Sequence, residues 1–286
     1  MITLIDGLSL GAIYALIALG YTMVYGIAKM LNFAHGDIIM VGAYAVVTTL
    51  MMGESAFIKI LGVVIALVLC TVLGVCVERC AYRPLRGASP LAVLITAIGV
   101  SYLLQGLAQM HPFGTSSPDF EFTIPGSFLG INWYTLITLI VGAVIMVCLT
   151  LFVNCTKTGK AMIAVSEDRA AAQLMGVNVN GIIAFTFAIG SALAAVAGIF
   201  YIMRIPDISP TFGSMPGIKA FTAAVIGGIG SIPGAMLGGV LLGVIEMVCL
   251  STPVAPYTTA IEFSLLILIL LVKPTGILGK KRREKV

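Results

Sequence analysis

The sequence predicts an all-α fold, a polytopic bundle of about eight or nine transmembrane segments that includes short or broken helices and an inverted repeat. Of the 286 residues, 59% are hydrophobic and only 10% are charged, against about 25% charged in ordinary soluble domains. Charged residues and histidines are absent from six stretches: 7–28, 60–77, 87–110, 122–156, 170–203 and 220–245. About 18 such apolar residues are enough to cross a bilayer as a helix.

Nine membrane segments can be drawn from the amino-terminal end onward. They cover about 7–28, 37–52, 59–77, 90–109, 133–153, 181–203, 217–229, 234–251 and 257–272. The seventh and eighth are separated by a run of glycines and a proline at 227–234. Because glycine and proline are poor helix formers, we expect two short or re-entrant segments here instead of one long helix.

The distribution of lysine and arginine predicts the orientation, since cytoplasmic loops carry an excess of both residues. With the N-terminus outside, the inner face holds most of the 16 basic residues: Lys29, Arg79, Arg83, Arg86, Lys157, Lys160, Arg169, Lys273, Lys280, Lys281, Arg282, Arg283 and Lys285. Only Lys59, Arg204 and Lys219 remain outside. The chain is therefore expected to form one membrane domain over 1–286, with a basic cytoplasmic tail at 273–286. The outside loop carries Asp119 and Glu121.

The longest predicted cytoplasmic loop covers 154–180 and contains a short helix of its own. Ser166 is expected to cap this helix, with two acidic residues in its first turn at 167–168. Small residues follow, and Gly176 is expected to end the helix. Such a helix outside the bilayer suits a plug, a structural brace or a docking surface for a soluble partner.

The connection between the first two segments is unusually polar, because Asn32, His35 and Asp37 fall within six residues. Polar groups at membrane depth usually face protein or water. Two interpretations stay open: a polar break that lines the transport path, or a solvated turn in which Asp37 caps the second helix.

A series of glycines marks the seventh and eighth segments. It includes the path candidates Gly227, Gly228, Gly230 and Gly234, followed by Gly238, Gly239 and Gly243. Close approach of helices explains most of such a ridge, and a broken helix that lines a substrate cavity is the alternative. For Glu246 and Glu262, near the outer ends of their segments, we expect side chains that reach to the interface, with contact to a ligand as the alternative.

Nothing in the sequence predicts catalysis, a cofactor or a metal site. The segment from Thr158 to Ala161 resembles the end of a nucleotide-binding loop, but Asn154 replaces the required glycine and Ala161 the hydroxyl residue. The two histidines, His35 and His111, are expected on opposite sides of the membrane. The net charge of +4 gives no reason to expect a nucleic-acid partner.

Several stretches along the whole chain resemble the permease subunits of ABC importers for branched-chain amino acids, specifically the LivH-type permeases. They are Gly7-Leu-Ser-Leu-Gly-Ala-Ile-Tyr-Ala-Leu16, Leu31-Asn-Phe-Ala-His-Gly-Asp37, Tyr82-Arg-Pro-Leu-Arg86, Ser166-Glu-Asp-Arg-Ala-Ala-Ala-Gln-Leu-Met-Gly176 and Gly217-Ile-Lys-Ala-Phe-Thr-Ala-Ala-Val-Ile-Gly-Gly-Ile-Gly-Ser-Ile-Pro-Gly-Ala235.

The resemblance implies a subunit in the bacterial inner membrane that pairs with a second homologous permease, two cytoplasmic ATPase subunits and a periplasmic amino-acid-binding protein. It also implies that loop 154–180 carries the helix that couples to the ATPase. The coupling residues are then Glu167, Asp168, Arg169, Ala171, Ala172 and Gly176. Ala170 departs from the glutamate common at that place. Rim charges contribute little, so replacement of Arg169 by alanine is expected to be mild.

Three other functions are weighed against this one. Uptake of urea or short amides uses the same permease type. A stand-alone secondary transporter or channel would favour a paired acid–base relay deep in the membrane, for which Asp37, Glu246 and Glu262 look too peripheral. A membrane enzyme would need a catalytic set, and the sequence offers none.

Overall fold

The computed structural model describes residues 2–53, 55–113, 117–120, 122, 124, 126–128 and 130–279. Eleven α-helices lie within these residues: α1 (Ile2–Ala28), α2 (His35–Leu50), α3 (Ala56–Val77), α4 (Pro90–Gln109), α5 (Trp133–Cys155), α6 (Lys157–Glu167), α7 (Arg169–Leu174), α8 (Val179–Arg204), α9 (Ser214–Gly227), α10 (Ile232–Leu250) and α11 (Thr258–Val272). A π-helical turn (Glu78–Tyr82) extends α3. Short 3₁₀ turns (Arg83–Leu85 and Ala255–Tyr257) and a two-stranded antiparallel ribbon, β1 (Ser127–Phe128) with β2 (Ile131–Asn132), complete the elements.

The structure confirms a polytopic helical bundle, and each of the nine predicted segments corresponds to one helix. Among the described residues, seven helices are long and apolar enough to cross a membrane. The other two, α2 with 16 residues and α9 with 14, are short. At 1.5 Å per residue they rise about 24 and 21 Å, less than the hydrocarbon thickness of about 30 Å. Glu121 and the basic tail at 280–286 lie outside the described residues.

The helical structure is interrupted between α9 and α10, where the glycines and the proline predict an interruption. Gly228 has a φ of +109°, a conformation that ends α9 and that side chains other than glycine rarely adopt. The hydroxyl of Ser231 then accepts a hydrogen bond from the Gly234 amide at 3.2 Å and caps α10. The prediction of two segments in this region is therefore confirmed.

Helix α1 forms the centre of the bundle, and its closest neighbour is α10. A Cβ atom added to Gly11 would lie 2.7 Å from the Cα atom of Val240, and one added to Gly7 would lie 3.0 Å from that of Val244. A Cβ atom added to Gly239 would in turn overlap the backbone of Ala15. The glycine ridge of α10 thus serves close helix approach, which is the favoured interpretation of this ridge.

Packing of the second half of the bundle repeats that of the first. In each half a long helix leads through a non-helical connection to a short helix and then to a helix that packs on it, as in α1, α2 and α3 and again in α8, α9 and α10. Helix α10 packs on α1, and correspondingly α3 packs on α8. This exchange of partners is the arrangement that an inverted repeat produces.

The loop after α5 contains two helices where one is expected. Thr156 caps α6 by accepting a hydrogen bond from the Gly159 amide at 3.0 Å. Ser166 lies inside α6, and its hydroxyl donates to the Ile163 carbonyl at 2.7 Å. The prediction that Ser166 is the cap is therefore wrong, because α6 continues through it.

Asp168 provides the cap of α7 instead. Its carboxylate accepts from the amides of Ala170 and Ala171 at 2.9 and 3.0 Å. Gly176 ends this part of the loop as predicted, with a φ of +83°. The Val177 amide then donates to the Ala172 carbonyl at 3.0 Å, which completes a Schellman motif.

Candidate functional site

The polar connection between α1 and α2 lies inside the bundle. His35, the first residue of α2, packs beside Gly20, and a Cβ atom added to Gly20 would lie 2.5 Å from His35 Nε2. Gly20 precedes the end of α1 at Ala28 by eight residues, a rise of about 12 Å. The chain therefore folds back along α1 after residue 28, and α2 begins within the membrane span.

The three polar side chains of this connection are buried, with exposures of 2% for Asn32, 1% for His35 and 2% for Asp37. The Tyr82 hydroxyl donates to Asn32 Oδ1 at 2.9 Å, and Gln105 Nε2 donates to Asp37 Oδ1 at 2.9 Å. The interpretation as a solvated turn is wrong, because the N-cap of α2 is Ala34 and Asp37 bonds to α4 instead of capping. The polar break remains as the interpretation of this segment.

The amino-terminal ends of the two short helices meet at this depth. A Cβ atom added to Gly36 of α2 would lie 2.6 Å from the carbonyl oxygen of Gly213, which precedes α9, and one added to Gly217 would lie 3.0 Å from Gly36 Cα. Helix N-termini carry partial positive charge and unpaired amides. Two such ends lie beside the buried side chains of Asn32, His35 and Asp37, so this internal region is polar.

The four glycine path candidates do not form one surface. Gly227 and Gly234 pack on each other across the break between α9 and α10. Gly228 lies against Gly279 and Thr275 in the segment after α11. Gly230 lines a cavity of about 390 Å³ together with Gly26 and other residues of the carboxyl end of α1. Their part in a transport path stays a prediction, and only Gly230 borders open space.

Arg169 connects the loop 154–180 to the core of the bundle. Its guanidinium donates to the carbonyl of Ala28 and lies 3.4 Å from that of Ile27, at the carboxyl end of α1. Burial, and then the positive charge of Arg86, lowers the pKa of Arg169. The expectation that Arg169 forms a rim contact for a partner is therefore wrong, since the side chain is turned inward.

The remaining coupling residues, in and beside α7, differ in exposure. Ala172 is buried within the protein, whereas Glu167, Asp168, Ala171 and Gly176 are exposed. Ala172 therefore packs inside the bundle instead of providing space for a partner. Sequence reasoning missed Leu174 and Met175, which are 88% and 85% exposed. Two large apolar residues directly before the closing glycine of a helix outside the bilayer are the signal that could have found them.

A cluster of ionisable residues joins four helices, nearer the amino-terminal end of α1 than the polar connection is. Lys219 Nζ of α9 lies 2.7 Å from Glu246 Oε1 of α10 and 3.3 Å from Glu262 Oε2 of α11. The Tyr14 hydroxyl of α1 donates to Glu246 Oε2 at 2.7 Å. The expectation that both glutamates reach to the interface is therefore wrong, because both pair with a lysine inside the bundle.

Comparison with known proteins assigns the bundle to a family. The family described as "Branched-chain amino acid transport system / permease component" matches residues 3–272. The chain belongs to this family. The permease is 45% identical over 298 residues to a high-affinity branched-chain amino acid transport system permease protein, BraD, of Pseudomonas aeruginosa, with 99% of this chain and 97% of that protein covered.

A second relative of the permease is the LivH permease protein of the corresponding system of Escherichia coli. It is 42% identical over 300 residues, covering 98% of this chain and 96% of the relative. Among solved structures, the permease is similar to PsaBC from Streptococcus pneumoniae in complex with Fab. The TM-score is 0.50 at 15% identity, with 94% and 91% of the two chains covered, and this likeness concerns the fold alone.

Proposed function

We propose that this permease is the membrane-spanning subunit of an ATP-driven importer for branched-chain amino acids. Its relatives over nearly the full length bear the name of that transport system. In the proposed assembly it forms half of the translocation path with a second homologous permease. Two cytoplasmic ATPase subunits and a periplasmic amino-acid-binding protein complete the importer in the bacterial inner membrane. The permease itself hydrolyses nothing, since it has no phosphate-binding loop.

The main observation that supports coupling to an ATPase is the exposed apolar pair Leu174 and Met175 at the carboxyl end of α7. Large apolar side chains that project fully from a protein surface mark interaction sites. The distribution of basic residues along the chain favours a cytoplasmic position for this loop, where an ATPase is available. Ala171 is exposed one turn before Leu174 and Met175 and allows close approach of a partner. We name this surface of Ala171, Leu174 and Met175 the docking face.

Arg169 supports the same proposal from the opposite side of α7. It hydrogen-bonds the end of α1, directly before the connection that leads to His35 and the start of α2. A displacement of α7 by an ATPase would therefore act on α1 and on the polar region around Asn32 and Asp37. We assign the translocation path to this region, next to the meeting N-termini of α2 and α9.

Paired substitutions on the two faces of α7 test the docking proposal. Ala171→Trp and Leu174→Asp should abolish co-purification of the ATPase and uptake, while the amount of permease in the membrane stays normal. The control for the aspartate is Gln173→Asp, since Gln173 is also exposed and already polar. Ala172→Trp should instead lower permease abundance, because a large side chain forced into a packed site costs about 1–3 kcal/mol.

The measurements are membrane abundance by immunoblot, capture of the ATPase on the tagged permease, and uptake of labelled leucine. Normal abundance with normal ATPase capture and uptake in both Ala171→Trp and Leu174→Asp would refute the docking face. A competition assay tests the proposed substrate class. Excess isoleucine or valine should reduce the uptake of labelled leucine, whereas urea or acetamide should not.

A stand-alone secondary transporter is the second candidate, and the cluster of Lys219, Glu246 and Glu262 favours it. Buried acid–base groups are the usual proton relays of such transporters. Reconstitution of the permease alone in liposomes separates the two functions. Concentrative uptake driven by a proton gradient without ATP would support the second candidate and refute the importer.

A further inference from the structure

The cluster around Lys219 is a closed group of charges within the membrane domain. Tyr14, which bonds Glu246, stands near the middle of the 27-residue α1. The side chains of Lys219, Glu246 and Glu262 are 10%, 13% and 1% exposed. Hydration is therefore a minor source of stabilisation for these charges, and each must be balanced by its neighbours.

The charges in the cluster do not balance if every group is ionised. Two carboxylates then face one ammonium group, and the cluster carries one excess negative charge. Helix α8 adds two further titratable side chains, Arg204 and Tyr201, and Tyr201 interacts electrostatically with Glu246. The Arg204 guanidinium bonds the Tyr134 hydroxyl at 3.2 Å and Met247 Sδ at 2.8 Å, and among the described residues it forms no ion pair with either carboxylate.

The two carboxylates differ in how well their negative charge is stabilised. Glu246 accepts a hydrogen bond from the Tyr14 hydroxyl at 2.7 Å, and its other oxygen lies 2.7 Å from Lys219 Nζ. Glu262 is almost fully buried, and among the described residues neither of its oxygens has a hydrogen-bond partner. Its Oε2 lies 3.3 Å from Lys219 Nζ. An excess proton is therefore most stable on Glu262.

We propose that the cluster is a proton-binding site, in which the pair Glu246 and Glu262 holds one proton at neutral pH and this proton rests on Glu262. The bound proton makes the cluster electrically neutral: Lys219 and Glu246 form the ion pair, and Glu262 is a neutral carboxyl group. This inference concerns the membrane domain itself and does not depend on the coupling proposed above.

The site also determines how α11 is attached. The only residues of α11 that are buried, among those the structure describes, are Thr258 and Glu262. Loss of the proton would place an uncompensated negative charge at the contact of α11 with α9 and α10. Raising the pH should therefore weaken the attachment of α11, and a neutral glutamine at position 262 should remove this sensitivity.

Infrared spectroscopy of the full-length permease in lipid nanodiscs tests the proposal, because a protonated carboxyl group has a C=O stretch separate from that of carboxylates. Labelling glutamate with ¹³C shifts only glutamate bands and so separates them from Asp37, a buried aspartate. We expect a ¹³C-sensitive carboxyl band at pH 7. Glu262→Gln should lose it, and Glu246→Gln should lose it too, because one carboxylate and one ammonium then balance.

Two further variants complete the test. Lys219→Gln removes the ammonium group, so both glutamates should become neutral and the band should grow roughly twofold. The control is Glu78→Gln. Glu78 is as deeply buried as Glu262 but pairs one-to-one with Arg86, so this substitution should leave the band unchanged.

The thermal midpoint of unfolding gives a second readout in the same nanodiscs. It should fall more steeply between pH 7 and alkaline pH in the wild type than in Glu262→Gln. Absence of a ¹³C-sensitive carboxyl band from the wild type at pH 7 overturns the proposal without reference to any variant. A band that survives both Glu262→Gln and Glu246→Gln overturns it as well.

Discussion

Replacement of Arg169 by alanine should uncouple ATP hydrolysis from uptake without releasing the ATPase. The Arg169 guanidinium holds the last carbonyls of α1, at Ile27 and Ala28. These carbonyls have no intrahelical partner, because the last turn of any helix leaves four of them free. If α7 receives the movement of the ATPase, this contact transmits it to α1, and Arg169→Ala removes the connection.

The size of the effect follows from the geometry of the contact. A hydrogen bond from a charged donor contributes about 1.5–3 kcal/mol, and a cation at a helix C-terminus adds about 0.3–1 kcal/mol. The Ile27 contact is long at 3.4 Å, and the side chain is partly exposed, so we count one bond at the lower end of its range. The loss is then about 2 kcal/mol, or about 30-fold in the equilibrium that keeps α7 attached to α1.

The assay combines leucine uptake, ATP hydrolysis and capture of the ATPase by the tagged permease. For Arg169→Ala we expect uptake to fall by about tenfold or more, with normal abundance and capture, because the docking face lies on the other side of α7. Lys160→Ala is the matched control, since Lys160 is an exposed cation of the same loop. Uptake by Arg169→Ala equal to that of Lys160→Ala would refute the reasoning.

Three other expectations can be checked directly. In a cysteine-free background, a cysteine at Asp119 should react with a membrane-impermeant reagent applied from outside and one at Glu167 should not; strong labelling at Glu167 would reverse the orientation. Gly239→Val should lower abundance and the thermal midpoint, because its side chain would overlap the α1 backbone at a cost of about 1–3 kcal/mol. Gly99→Val is the control, since a Cβ atom on Gly99 meets no described atom within 4 Å, and equal loss in both would contradict the packing argument. The purified permease should neither bind nor hydrolyse ATP. A rise in its thermal midpoint of unfolding on addition of ATP would contradict this.

Much of the fold follows from local features of the chain. Apolar stretches without charge predict the long helices, because exclusion of charge from the bilayer acts on each segment separately. The break after Gly227 is equally local, since it depends on backbone preferences of glycine and proline. The assignment of Ser166 as a cap failed for a related reason. Thr156, Ser166 and Asp168 are all good N-caps, and only the tertiary structure decided which of them precedes a helix.

The partners of the polar residues depended on tertiary structure. The sequence places Glu246 and Glu262 near the outer ends of two segments, where reaching to the interface is the ordinary outcome for one helix in lipid. Packing of α9 between α10 and α11 supplies Lys219 as a partner, and an ion pair then replaces water. From the sequence, Arg169 likewise looks like a surface charge. In the folded protein, the carbonyls at the end of α1 accept hydrogen bonds from it.

The sequence by itself predicted a helical membrane protein of the permease type, the number and approximate bounds of its membrane segments, and an uneven division of its basic residues between the two faces. Tertiary structure alone decided the depth at which His35 and α2 begin, the outward position of Leu174 and the burial of Ala172. The physical reason is the range of the interactions. Hydropathy and backbone preference act within one segment, whereas burial and charge pairing join residues more than a hundred positions apart, as with Arg169 and Ala28.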